Sequence, residues 1–132
     1  MARVIKPGDA KTLALPGRLS REIVSGGSGA DRVSFRLVEI APTKPGEAER
    51  GPHVHHSFEE CIYVVSGAGV TVTETEELPV GAGDTILIPA GQIHMTRAVG
   101  DAPLKLLCFF PVGDVASGTK EFPDWTAAGG KR

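Results

Sequence analysis

Long apolar runs are missing from this chain. The longest, Leu106 to Phe110, has five residues, far short of the roughly 20 that a membrane-spanning helix needs. A membrane partner is therefore not expected. A basic block is missing too: 14 Lys+Arg stand against 16 Asp+Glu in 132 residues, a formal net charge of −2. Nucleic-acid binding draws most of its affinity from neutralised phosphates, so this balance argues against it. The opening stretch MARVIKPGDAK has no apolar signal-peptide core, and a cytoplasmic protein is expected. Cysteine is scarce. Cys61 and Cys108 lie in the apolar runs CIYVV and LLCFF, where both are expected to be buried thiols acting as small hydrophobes. A disulfide between them would need neighbouring strands and an oxidising compartment.

Breakers, by contrast, are abundant. The 17 glycines and 10 prolines make up about a fifth of the chain, against roughly 12 % in average usage. Such punctuation leaves little room for long helices and favours short strands joined by tight turns. Residues 1 to 30 read as an arm of one or two strands, foremost Arg18 to Val24. Val33 to Ile40 is β-branched, aromatic and strand-like, and Ala41 to Gly51, with two prolines and two glycines, is a loop. Further strands are expected at His53 to His55, Glu60 to Val65, Val70 to Thr75, Leu78 to Val80, Thr85 to Ile88, Met95 to Val99 and Leu104 to Phe110. The tail after Pro111 lacks a clear period, and a short helix is expected near Asp124 to Ala128. Eight to ten short strands at close spacing mean an all-β sandwich or barrel. No repeat or long linker divides the chain, so it is expected to be a single domain over 1–132.

Three of the four histidines, His53, His55 and His56, lie within four residues. Strand side chains at i and i+2 share a face, so His53 and His55 project together, roughly 6 to 7 Å apart along the backbone. Two imidazoles on one face near an acidic side chain suit a transition-metal site. Glu60 opens the next strand on the face of Ile62 and Val64. If that face looks inward, a cation would offset the several kcal/mol that an unpaired buried carboxylate costs. Glu59 is the rival acid. His56 points away from the pair and is expected to be exposed. His94 follows a Pro-x-Gly turn, as though a loop aims it.

The stretch HVHHSFEECIYVVSG, with His53, His55, Glu60 and Gly67, resembles the first motif of the cupin family. GDTILIPAGQIH, with Gly83, Pro89, Gly91 and His94, resembles the second, and the 15 residues between Gly67 and Gly83 are near the family's shortest spacing. Only Glu60, with six residues between it and Gly67, fits the motif at both ends. The resemblance implies a double-stranded β-helix (a cupin, jelly-roll-type barrel) with its core at about 31–112. It further implies that His53, His55, Glu60 and His94 bind one divalent transition metal, from among Fe, Mn, Co, Ni, Cu and Zn. The sequence departs from the family at Ala98, where the second motif ordinarily ends in Asn. That Asn is not a metal ligand, so a pocket hydrogen bond is lost rather than the metal.

Around these positions, Arg36 would clamp a carboxylate if it faced the cavity, and Gln92 or Thr96 could hydrogen-bond a substrate. Of Phe109 and Phe110, one must line the cavity by alternation, and Phe110 is the choice. Otherwise few polar residues are expected inside the barrel. The resemblance implies an enzyme acting on a small oxygenated or carboxylated organic molecule. Dioxygenase chemistry is narrowly preferred over isomerase or lyase chemistry. The alternatives are a non-catalytic cupin whose metal anchors a small ligand, and a barrel with structural metal only. A homodimer is expected, since the strand-rich arm could pair with a second subunit.

Overall fold

The computed structural model describes residues 1–15, 17–47, 50–123, 125–126 and 130–131. In chain order these form β1 (Lys11–Leu15), β2 (Arg18–Val24), β3 (Ser34–Ile40), β4 (His53–His55) and β5 (Glu60–Ser66). Next come β6 (Ala68–Thr73), β7 (Glu77–Gly81), β8 (Thr85–Ile88), β9 (His94–Ala98) and β10 (Leu104–Phe110). The tail adds β11 (Thr119–Glu121), β12 (Trp125–Thr126) and β13 (Gly130–Lys131). Two antiparallel sheets face one another, one ordered β1-β2-β3-β10-β5-β8 and the other β11-β4-β9-β6-β7. This is an all-β double-stranded β-helix. No helix of the described residues is long and apolar enough to cross a membrane.

Period-2 alternation builds the core. Along β5, Glu60, Ile62 and Val64 are buried while Cys61, Tyr63 and Val65 face out. β10 turns Leu104, Leu106, Cys108 and Phe110 inward, and β8 turns Ile86 and Ile88 inward. Burying each such aliphatic side chain stabilises the fold by about 1.5–3 kcal/mol. The β5–β6 corner closes tightly at Gly67, where φ is +87° and a Cβ would stand 2.5 Å from the Pro103 carbonyl oxygen. A side chain there would meet both the left-handed backbone penalty and the facing chain.

Three expectations need correction. Cys61 is exposed on the outer face of β5, and Cys108 alone is buried. Their strands are neighbours, but the register sets Cys61 opposite Phe109 and Cys108 opposite Ile62. The two thiols thus lie on opposite faces, and both are free. In the tail, Thr119–Glu121 forms a strand paired with β4, because its partner supplies the order that its own pattern lacks. Of the helix expected at 124–128, Trp125–Thr126 pairs as strand with Gly130–Lys131, while Asp124, Ala127 and Ala128 lie outside the described residues.

Candidate metal centre and cavity

The HVH strand carries the centre. β4 is short and flanked on both sides: Thr119 of β11 lies directly opposite His55, and His94 of β9 directly opposite His53. Residues opposite one another in an antiparallel ladder share a face, so the His53 and His94 rings meet with centroids 4.3 Å apart. His55 lies on the same face, 5.0 Å from His53. The turn before β9 is held to this strand by the Gly91 amide, which donates to the His55 carbonyl at 2.8 Å. Gly91 itself sits at φ +82°, as a turn closed from Gln92 N–H to the Pro89 carbonyl requires. Glu60 reaches in from the facing sheet.

Hydrogen bonding orients two of the rings. Thr119 Oγ1 donates to the Val115 carbonyl at 2.7 Å and so accepts from His55 Nδ1–H at 2.8 Å. His94 Nδ1–H donates to the Gln92 carbonyl at 2.9 Å. These assignments follow from the network. They leave both Nε2 atoms facing Glu60 Oε1, each at 3.1 Å. Lone pairs of two nitrogens and a carboxylate oxygen repel at that distance unless positive charge lies among them. Additional protons would supply it, and so would a cation. His53 Nδ1 is buried without a hydrogen-bond partner. One donor atom from each of His53, His55, Glu60 and His94 lies within 4.8 Å of the others. Three imidazoles and a carboxylate at this spacing fit a transition-metal ion.

The electrostatics agree. Burial raises the Glu60 carboxyl, but His55 and His94, when they carry protons toward it, outweigh that and hold the group at about 2; a cation in the same space would act in the same direction. Burial, reinforced by the neighbouring His94, pushes His53 well below the ordinary histidine value and keeps its imidazole neutral, the form that ligates metals. Burial, with Glu60 beside it, raises the Cys108 thiol, so it stays protonated. Glu59 is exposed and Glu60 is 4 % exposed. His56 is exposed, as expected.

A cavity of about 240 Å³ opens on the cluster. Its apolar wall includes Val38, Ile40, Ile62, Leu106 and Phe110. Arg36 and Thr96 also line it, whereas Gln92 does not: its side chain lies toward Glu74 at 3.5 Å outside. The inner wall is more polar than expected, because Arg18, Ser20, Arg50, Thr119 and Glu121 contribute as well. Sequence reasoning missed all five. Arg18 and Ser20 follow the inward alternation of β2, which was a usable signal. Arg50 comes from an irregular loop, which has no period to read. Ala98 packs in the core opposite Gly69, so apolar contact replaces the family's Asn.

Two facing antiparallel sheets around two buried imidazoles, a half-buried third and a buried carboxylate define a small β-barrel with a candidate cation site. A family model described as "Cupin domain" matches residues 40–110. The chain belongs to the cupin superfamily. It resembles the polyketide cyclase RemF from Streptomyces resistomycificus at 26 % identity, with a TM-score of 0.68 over 84 % of this chain and 80 % of that one. The Streptomyces nucleoside dehydratase Pac13 matches at 14 % identity and a TM-score of 0.75, covering 98 % of both chains. Oxalate decarboxylase from Bacillus subtilis matches at 21 % and 0.71, over 87 % of this chain and 30 % of that one. In these last two the likeness is of fold. The "Uncharacterized protein MJ1618" of Methanocaldococcus jannaschii is 39 % identical over 56 residues, 42 % of this chain. The match covers 45 % of that curated relative, so this chain spans a little under half its length.

Proposed function

We propose that this chain is a metal-dependent enzyme acting on a small oxygenated or carboxylated organic molecule. His53, His55, Glu60 and His94 hold one divalent transition ion, from among Fe, Mn, Co, Ni, Cu and Zn. The observation that carries this reading is the pair of Nε2 atoms, each 3.1 Å from Glu60 Oε1 with its Nδ1 proton already committed. Bound there, such an ion supplies Lewis acidity and, for a redox-active metal, electron transfer. The chain's own residues do the rest. Thr119 and the Gln92 carbonyl fix ring orientation, Glu60 stays ionised, and Phe110 with the aliphatic wall keeps water from the bound molecule.

Among reaction types, the donor set suits oxygenase chemistry, while similarity to a polyketide cyclase supports non-oxidative isomerase or lyase chemistry. Ala98 favours a second reading, a binding protein without turnover, since this chain carries a buried apolar residue where the second motif ordinarily ends in Asn. A homodimer belongs to the same proposal. Its support is the outer face of the six-stranded sheet, where Phe35, Phe109, Cys61 and Leu87 form one cross-strand row and Leu37, Leu107 and Tyr63 another. Leu87 is 60 % and Tyr63 45 % exposed. A single domain over 1–132 and a cytoplasmic setting complete the reading; the two free thiols accord with the latter.

The test is elemental analysis of purified wild type, His55→Ala and His94→Ala, with melting temperatures before and after chelation. Wild type should hold one ion per chain and lose melting temperature on chelation, and the variants should do neither. Stoichiometric metal in both variants overturns the ligand assignment. Turnover of small acids and carbonyl compounds, with and without dioxygen, separates oxygenase from non-oxidative chemistry. Binding without turnover supports the second reading.

A further inference from the structure

One cationic side chain of the cavity has no ion-pair partner among the described residues. Three guanidinium groups line it. Arg18 pairs with Glu121 at 3.6 Å, and Arg36 pairs with Glu22 at 3.5 Å while stacking over Phe110. Arg50 has no carboxylate within ion-pair distance among the described residues. Its Nη2 donates to the Thr96 carbonyl at 2.6 Å, and its Nη1 is buried without a partner. Glu60 is committed to the two histidines. Burial, with Arg18 nearby, lowers Arg50 to about 10, so it remains charged at neutral pH. Two further orphaned donors, Ser20 Oγ and Arg36 Nε, line the same cavity. Buried donors are ordinarily satisfied, and a buried charge ordinarily has a counter-charge.

We propose that Arg50 anchors the carboxylate of a small organic acid, a monoanion whose remaining atoms extend along the apolar wall toward the histidine–glutamate cluster. This rests on the reading of the cavity as a substrate site and narrows it to acids. Among the described residues this guanidinium has no carboxylate within ion-pair distance, and a single negative charge would supply that partner. A phosphate group, at about −1.5 to −2 near neutral pH, would exceed it. A volume of about 240 Å³ equals roughly eight waters at about 30 Å³ each, which sets the size of the acid. Arg50 and Ile40 also border a second cavity, lined by Lys44, Glu47 and Arg97, so Arg50 stands where the outer space meets the inner one.

The experiment measures binding by calorimetry at pH 7.5 with propionate, pyruvate and benzoate, their neutral counterparts propionamide and benzamide, and inorganic phosphate. At least one acid should bind wild type ten times more tightly than the matching amide and more tightly than phosphate. Arg50→Gln should abolish that preference, and Arg50→Lys, which keeps the charge but not the fork, should retain part of it. Equal binding of acid and amide by wild type overturns the proposal, whatever the variants do. So does phosphate binding tighter than every acid, or an acid preference intact in Arg50→Gln. Metal content of the same samples separates this from the enzyme reading. Arg50-dependent acid binding in protein without an ion supports Arg50 and sinks the metal enzyme. An ion-loaded protein that turns over a neutral compound and ignores every acid sinks Arg50 alone.

Discussion

Replacing Thr119 by valine keeps the shape of the side chain and removes one hydroxyl. That hydroxyl accepts from His55 Nδ1–H at 2.8 Å and donates to Val115 O at 2.7 Å. The Val115 carbonyl keeps a second donor, the Gly118 amide at 3.2 Å, so the group stranded by the substitution is the imidazole N–H. A buried polar group without a partner costs about 1–3 kcal/mol. Metal-free Thr119→Val should therefore unfold in urea with about that much less free energy than wild type. Moving that proton to the nitrogen facing Glu60 recovers part of this cost, and there it competes with a cation. Removing such an orienting partner weakens metal binding about 10- to 100-fold, or about 1.4–2.8 kcal/mol at 1.4 kcal/mol per decade. Competition against a chromophoric chelator reads this directly. Thr119→Ser, which restores the hydroxyl, should stay within about twofold of wild type. If Thr119→Val loses stability yet binds the ion within about twofold of wild type, Thr119 does not set the His55 tautomer and the orientation argument fails.

Three further outcomes are expected. His53 is held well below the ordinary histidine value by burial first and by His94 second, whereas in the unfolded chain it titrates near 6.5. Below that pH the unfolded state binds the extra proton, so stability rises with pH; about 2 kcal/mol should be lost on going from pH 7.5 to 5, read from urea midpoints of metal-free protein. Glu60, held at about 2, is ionised across that window and adds no slope; His53→Gln should remove this part of the slope, and a profile unchanged by that substitution contradicts the burial of a neutral His53. Gly91→Ala meets open space for its Cβ but must adopt φ +82°, a penalty of about 1–2 kcal/mol. Denaturant titration should show it, and a loss below about 0.5 kcal/mol would mean the turn relaxes freely. Leu87→Asp, on the outer sheet face, should convert a dimer to a monomer by light scattering with little change in melting temperature. A monomeric wild type at micromolar concentration overturns the dimer.

Where turn residues bracket an apolar run closely, the sequence was enough to locate the strand: Arg18–Val24, His53–His55, Thr85–Ile88 and Leu104–Phe110 lie at the expected bounds, whereas the Val/Thr alternation at 70–75 belongs to a strand at Ala68–Thr73. Tertiary pairing decides the rest. Thr119–Glu121 is a strand only because β4 has an open edge there, and nothing within three residues announces that. Cys61 and Cys108 look alike in their local runs, yet the register turns one outward and one inward. Among candidate site residues, His53, His55, Glu60 and His94 were legible because strand parity and motif spacing agree. Arg50 and Thr119 were not, since the direction of a loop residue, and the pairing of a strand as short as Thr119–Glu121, depend on contacts remote in sequence.

Glu60 and the histidines belong to different layers of the barrel, and only the space between their donor atoms joins them there. Any cation seated in that space acts as a rivet through both sheets. Extracting it and prising the layers apart become one event, so slow exchange of the ion and resistance to mechanical opening should rise and fall together.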